Sequence, residues 1–275
     1  MSEPNSNDWA DAATLWTHVV TTGERITYRA GRQGARLIAE WPGLARVTCG
    51  LDGSMLRVIP ALGVPRRDLT KLNGFVRALL SERRGGLGMH ASAIAFSSRA
   101  VLFVGNSGQG KSTAAAEMCF QYGAKLLADD AALLEVRDGA IYVVPSESAH
   151  YLSRESRIGL GLSIAIRHPV SHSTKSAVRP RKRAMAGYPL RLVVALRFDD
   201  SLPHGRWSQL RGYSAVHRIV DGMIRFDLAD DEARRRELDN VTRIYDRAPI
   251  VELARPHHNP GVGEFIVRAL AEQRP

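Results

Sequence analysis

Eight residues constrain this chain more than any others: Gly105-Asn106-Ser107-Gly108-Gln109-Gly110-Lys111-Ser112. They stand between the apolar run Ala100 to Val104 and an Ala-rich segment from Lys111 to about Tyr122. The pattern predicts a strand, a glycine loop and a helix in succession. Three glycines let successive backbone N–H groups point into one concavity, the helix N-terminus adds partial positive charge, and a lysine leaves the first turn. That combination suits a polyphosphate. Gly105, Asn106, Ser107, Gly108, Gln109, Gly110, Lys111, Ser112 and Thr113 are therefore the candidate nucleotide contacts, with ATP as the expected nucleotide and the Ser112 hydroxyl as a ligand for Mg²⁺.

A nucleotide site also needs a group that meets the acceptor. Lys125-Leu126-Leu127-Ala128 reads as a short strand after the helix, and it ends in Asp129-Asp130. A strand in that position brings both carboxylates to the edge of the sheet where the loop lies. Two adjacent aspartates suit a division of labour, one taking the proton of a hydroxyl and the other standing by the metal.

The rest of the chain reads as an α/β (α+β) protein. Residues 25–60 alternate apolar and polar side chains between turn signals at Gly31, Pro42-Gly43 and Asp52-Gly53, which predicts a small antiparallel sheet. A helix over 68–83 follows, with Asp68 as its cap, and Arg83-Arg84-Gly85-Gly86 ends it. The predicted organisation is a β-rich region with a helix over 1–84 and a core over 85–275. Within the core, strands are read at 90–96, 100–104, 133–136, 141–144, 190–198 and 250–253, and helices at 230–246 and 262–272. Segment 150–187 lacks periodicity and reads as a loop.

Composition excludes several classes. The chain is 44% apolar and 24% charged, as a globular protein is. Apolar stretches such as Leu190 to Leu196 fall far short of the roughly 20 residues of a membrane span, so no membrane partner is expected. The polar, acidic start with Glu3, Asp8 and Asp11 does not read as a secretory signal, and Cys49 and Cys119 are too few for a disulfide framework; a cytoplasmic location is expected. The net charge is +10, and between Ser156 and Phe198 there are nine basic residues and no acidic one. Arg179, Arg181, Lys182 and Arg183 from this run are candidates to fold over phosphates. Single-stranded nucleic acid is a poor match, because aromatic side chains do not interleave with the cations. Oligomeric state stays open, a homo-oligomer included.

With these residues in hand the chain resembles the HPr kinase family. Met89-His90-Ala91-Ser92, the 105–112 loop and Gly123-Ala124-Lys125-Leu126-Leu127-Ala128-Asp129-Asp130 match its motifs over about residues 85–145. The resemblance implies a catalytic core similar to phosphoenolpyruvate carboxykinase and phosphoryl transfer from ATP to a serine hydroxyl. It implies Asp129 as the base, Asp130 beside the metal, Lys111 and His90 near the transferred phosphate, and Glu155 as a further metal ligand. The stretch Leu152 to Gly159 departs from the family's Leu-Glu-x-Arg-Gly-x-Gly signature, so neither HPr as substrate nor the reverse reaction is read from it. In layout the chain is most similar to the kinases of lasso peptide clusters, which implies a peptide or protein substrate with an acceptor serine. A small-molecule kinase of the same fold, and an ATPase or regulator without an acceptor, share these motifs.

Lys111 generates the first test. Lys111→Ala lowers ATP affinity about tenfold or more, measured by titration calorimetry, if its ammonium meets the outer phosphates.

Overall fold

The computed structural model describes residues 14–22, 25–65, 69, 72–162, 168–169, 175–226, 228, 230–258 and 261–272. The chain divides into two compact units, Met1–Lys71 with Arg225–Arg235, and Leu72–Ile224 with Arg236–Pro275. The first is an antiparallel meander of five strands in chain order: β1 (Leu15–Thr22), β2 (Arg25–Gln33), β3 (Arg36–Trp41), β4 (Ala45–Gly50) and β5 (Arg57–Pro60). Alternation builds it, as in β4, where Ala45, Val47 and Cys49 are buried and the residues between them are partly exposed. Strand β1 is invisible to a reading that starts at residue 25, because bulges after Trp16 and Val20 break its period. Tyr28 stacks on Trp41 at 5.4 Å, meets Phe226 edge-on at 6.0 Å and donates its hydroxyl to the Arg225 carbonyl. Those contacts return the 225–235 segment to this sheet.

The boundary therefore differs from the one the sequence suggests. Helix α1 (Asn73–Arg83) packs through Gly74, Ala78 and Leu79 on β6 (Leu87–Met89) and β10 (Ala132–Arg137), and so belongs to the second unit. Its N-cap position is Leu72, without a side-chain cap; Asp68 lies outside the described residues.

The second unit is organised by a nine-stranded sheet. Its path runs β6, β10, β11 (Ala140–Val144), β15 (Tyr188–Phe198), β8 (Arg99–Val104), β7 (Ser92–Phe96), β9 (Lys125–Ala128). Strand β17 (Ile250–Arg255) lies parallel to the second half of β15, and β16 (Arg206–Leu210) pairs with β17. Two tight hairpins shape this sheet. Ser97 and Ser98 join β7 to β8, and Asp138 and Gly139 join β10 to β11, each pair with both φ angles positive as a two-residue turn between twisted strands requires. Because β7 runs antiparallel to both neighbours, β8 and β9 are parallel to each other.

Side chains of the central strands alternate between two cores. Val101 and Phe103 face one with α2 (Lys111–Gln121) and α6 (Gly263–Glu272), whereas Ala100, Leu102 and Val104 face the other with α4 (Gly212–Asp221) and α5 (Asp231–Arg247). Each buried Leu, Ile, Val or Phe contributes roughly 1.5–3 kcal/mol. Segment 150–187, read as a loop, instead carries β12 (His150–Leu152), α3 (Arg154–Gly159), β13 (His168–Pro169) and β14 (Ser176–Val178), with strand order β12-β14-β13. Its pieces are too short for a period to register. The sequence also passes over β16, whose side chains are partly or fully exposed, and α4, which has no side-chain cap. Among the described residues no helix is long and apolar enough to cross a membrane.

Buried Glu117 of α2 fastens α6 by accepting the Val262 N–H at 3.0 Å and the Gly263 N–H at 2.7 Å. Glu117→Ala leaves both donors unsatisfied and costs about 1–3 kcal/mol in urea unfolding, and Glu117→Gln, which keeps an acceptor, costs less.

Candidate functional site

The strand–loop–helix expected at 100–121 is present: β8 leads into 105–110, and Gly110, in the left-handed region at φ +79°, is the N-cap of α2. A side chain at Gly110 would be strained there, and its Cβ would also lie 2.6 Å from the Arg255 guanidinium. Fully buried Arg255, pulled down to about 10 by burial, stacks on the Phe198 ring at 4.5 Å and donates to the Gln109 carbonyl at 3.1 Å. The Gln109 side chain accepts the Phe198 N–H. Gln109 thus ties the loop to β15 and β17 and does not border the cavity below.

Lys111 folds back over the loop, its ammonium 2.7 Å from the Gly105 carbonyl and 3.2 Å from that of Asn106. Burial draws its pKa down to about 8, against the pull of Asp130. In front of it lies a cavity of about 260 Å³, to which the loop contributes Ser107, Gly108 and Gly110, and α2 contributes Lys111, Ser112 and Thr113. Asp129 and Asp130 border it from the end of β9, and His90 from the bend between β6 and β7. Tyr151, Leu152, Ser153, Ser156 and Lys175 close it from the β12–β14 layer. A larger cavity, about 500 Å³, lies against α1 and β10 with Arg77, Ser81, Arg84 and Glu135 on its wall, and none of the expected residues borders it.

The two aspartates stand in opposite environments. The Asp129 side chain is 0% exposed; its Oδ2 accepts the Tyr151 N–H at 2.6 Å, and its Oδ1 lies 3.2 Å from the Ser92 hydroxyl. The Asp130 side chain is 46% exposed, and its Oδ1 is 3.4 Å from Nδ1 of half-exposed His90. Desolvation, then the Lys111 ammonium, hold the His90 imidazole below its ordinary pKa, while Asp130 opposes them. A base must touch the acceptor; the Asp129 carboxylate, expected in that role, is enclosed in this arrangement, and Asp130 is the exposed member of the pair.

Glu155 does not border the cavity. It sits exposed on α3, its carboxylate stabilised by its own backbone N–H and by Ser153. Its neighbour Ser156 turns inward, 2.8 Å from the Thr113 hydroxyl. Nor do Arg179, Arg181, Lys182 and Arg183 reach the site: Lys182 and Ala184 make backbone hydrogen bonds to Leu126 of β9. Among the described residues of the basic run, Lys175 borders the cavity. Among the described residues no three His, Cys, Asp or Glu side chains converge on a metal position. Mg²⁺ asks for less, one or two carboxylates with phosphate oxygens and water, and Asp130 with Ser112 fits that demand.

Glu147 was not legible in the sequence, having no motif around it. Its Oε2 accepts the N–H groups of both Asp129 and Asp130, at 2.7 and 2.9 Å, so one carboxylate holds the turn. Burial, with the two aspartates adding to it, pushes Glu147 up to about 8.

No known family's profile and no curated protein matches the sequence. Among solved structures, the Hpr(Ser) kinase/phosphatase from Coxiella burnetii is similar over 68% of this chain and 97% of its own, at 13% identity and a TM-score of 0.36. A likeness of that degree defines no family.

The Glu147 shift generates a pH test. Between 4.5 and about 8 the unfolded chain releases a proton that the folded chain keeps, so this group's contribution to stability falls as pH rises through that window and is level outside it. Unfolding free energies of wild type minus Glu147→Gln, measured from pH 4 to 9, decline across it; a flat or rising difference contradicts the raised carboxyl pKa.

Proposed function

We propose that the chain is an ATP-dependent kinase that passes the γ-phosphate to a hydroxyl, with the serine of a peptide as acceptor. The observation that carries the reading is the convergence of the Lys111 ammonium, the open Asp130 carboxylate and the His90 imidazole on one cavity at the mouth of a glycine loop. The motif resemblance at 89–92, 105–112 and 123–130 supports the same reaction and is the source of the peptide acceptor.

The loop amides and Lys111 hold the β- and γ-phosphates. Ser112 and Asp130 hold Mg²⁺, which when bound neutralises charge on the phosphate oxygens. Phosphoryl transfer passes through a loose transition state, so positioning and charge neutralisation supply most of the acceleration. His90, held below its ordinary pKa by desolvation and then by Lys111, takes the proton of the acceptor hydroxyl as that oxygen bonds the γ-phosphorus and ADP leaves. Leu152, Ser153 and Lys175 line the cavity, and we assign that wall to the acceptor.

Incubation with γ-labelled ATP, Mg²⁺ and serine-containing peptides tests the reading. Label passes to the peptide in wild type, and Asp130→Asn or His90→Ala lowers the rate about 100-fold or more. Release of all label as inorganic phosphate, whatever the peptide or small alcohol supplied, would leave an ATPase and remove the acceptor.

A further inference from the structure

His150 begins β12 with its ring fully buried, and neither ring nitrogen has a hydrogen-bond partner among the described residues. An unpaired buried polar ring destabilises a fold, so its presence beside the site asks for a reason other than stability. One face of the ring is met by Phe120, 6.0 Å between centroids. Nδ1 stands 3.6 Å from Oδ1 of Asp129, just beyond a hydrogen bond. Glu147 already holds the Asp129–Asp130 turn by its backbone, and Tyr151 and Ser92 hold the Asp129 carboxylate. The exposed member of the turn is the Asp130 side chain, 3.4 Å from His90.

We propose that His150 is a positioning residue: its Nδ1–H closes onto Oδ1 of Asp129 when Mg²⁺ and nucleotide engage, and so locks the turn with Asp130 aimed at the cavity. This deepens the kinase reading and rests on it. Hydrogen bonds in such sites are often long without ligand and tighten in the reactive complex. Asp129 on this account never meets substrate; it is the anchor through which a buried imidazole acts on its exposed neighbour.

His150→Phe keeps a ring of similar size and removes the unpaired nitrogens, so it separates stability from function. The variant melts at or above the wild-type temperature, yet its kcat for peptide phosphorylation falls about tenfold or more while KM for the peptide is unchanged. The enhancement of ADP affinity by Mg²⁺, read by titration calorimetry, falls with kcat. His150→Asn, whose amide nitrogen stands near the place of Nδ1, recovers part of both losses. The proposal is overturned if His150→Phe keeps kcat and the Mg²⁺ enhancement within about twofold of wild type, if both fall only in step with a lowered melting temperature, or if His150→Asn does no better than Phe. Should the Phe variant fail to fold, His150→Leu against His150→Asn makes the same comparison. A wild type that phosphorylates no hydroxyl sinks the kinase reading, and the Mg²⁺ dependence of ADP affinity then decides the His150 assignment by itself.

Discussion

Strand β7 runs against both of its neighbours, and the site depends on that arrangement. A two-residue turn at Ser97-Ser98 folds β8 back along β7, and β9 pairs on the other side in the same sense as β8. One edge of the sheet therefore collects three chain segments: the loop leaving β8, the aspartates leaving β9 and the residues entering β7. Lys111, Asp130 and His90 come from those three segments. Had β7 been parallel, His90 would lie at the far edge, a strand length of some 15 Å away.

Around that edge the protein spends buried polar groups freely. Half-buried Glu147 accepts two backbone amides, Asp129 is enclosed by Tyr151 and Ser92, and Arg255 is buried on Phe198 against the glycine loop. Each group needs partners to offset its desolvation, and most are satisfied by backbone, which is the rigid choice. The outcome is a loop and a turn whose backbones are fixed while Lys111, Asp130 and His90 keep side chains at the cavity. A buried lysine close to a carboxylate and to an imidazole held below its ordinary pKa is the kind of electrostatic tension that accompanies function.

The β12–β14 layer gives the cavity its second wall. Its elements are short, and they hold position through contacts to the core: Tyr151 on Asp129, Ser156 on Thr113, and Val178 and Leu152 with Ala116. The basic residues that look poised to cover phosphates are instead placed by backbone bonds between Lys182, Ala184 and Leu126, along the edge of β9. A cation four residues before that group, Lys175, borders the cavity, because the chain enters β14 there.

Local rules were enough for much of this. Glycine, helix propensity and alternation determined the strand–loop–helix at 100–121, the hairpin at Asp138-Gly139, the long buried strand before Phe198 and the closing helix, since each is set by neighbours within a few residues. The candidates Lys111, Ser112 and the Asp pair were read from residue type and spacing, and His90 from the motif resemblance alone; all of them border one cavity. Tertiary structure alone decided which aspartate is open, that Glu155 points away while Ser156 points in, that α1 joins the second unit, and that Glu147 and His150 stand behind the turn. Those outcomes depend on burial and on partners distant in the chain, and no local pattern encodes which of two adjacent carboxylates a strand from elsewhere will cover.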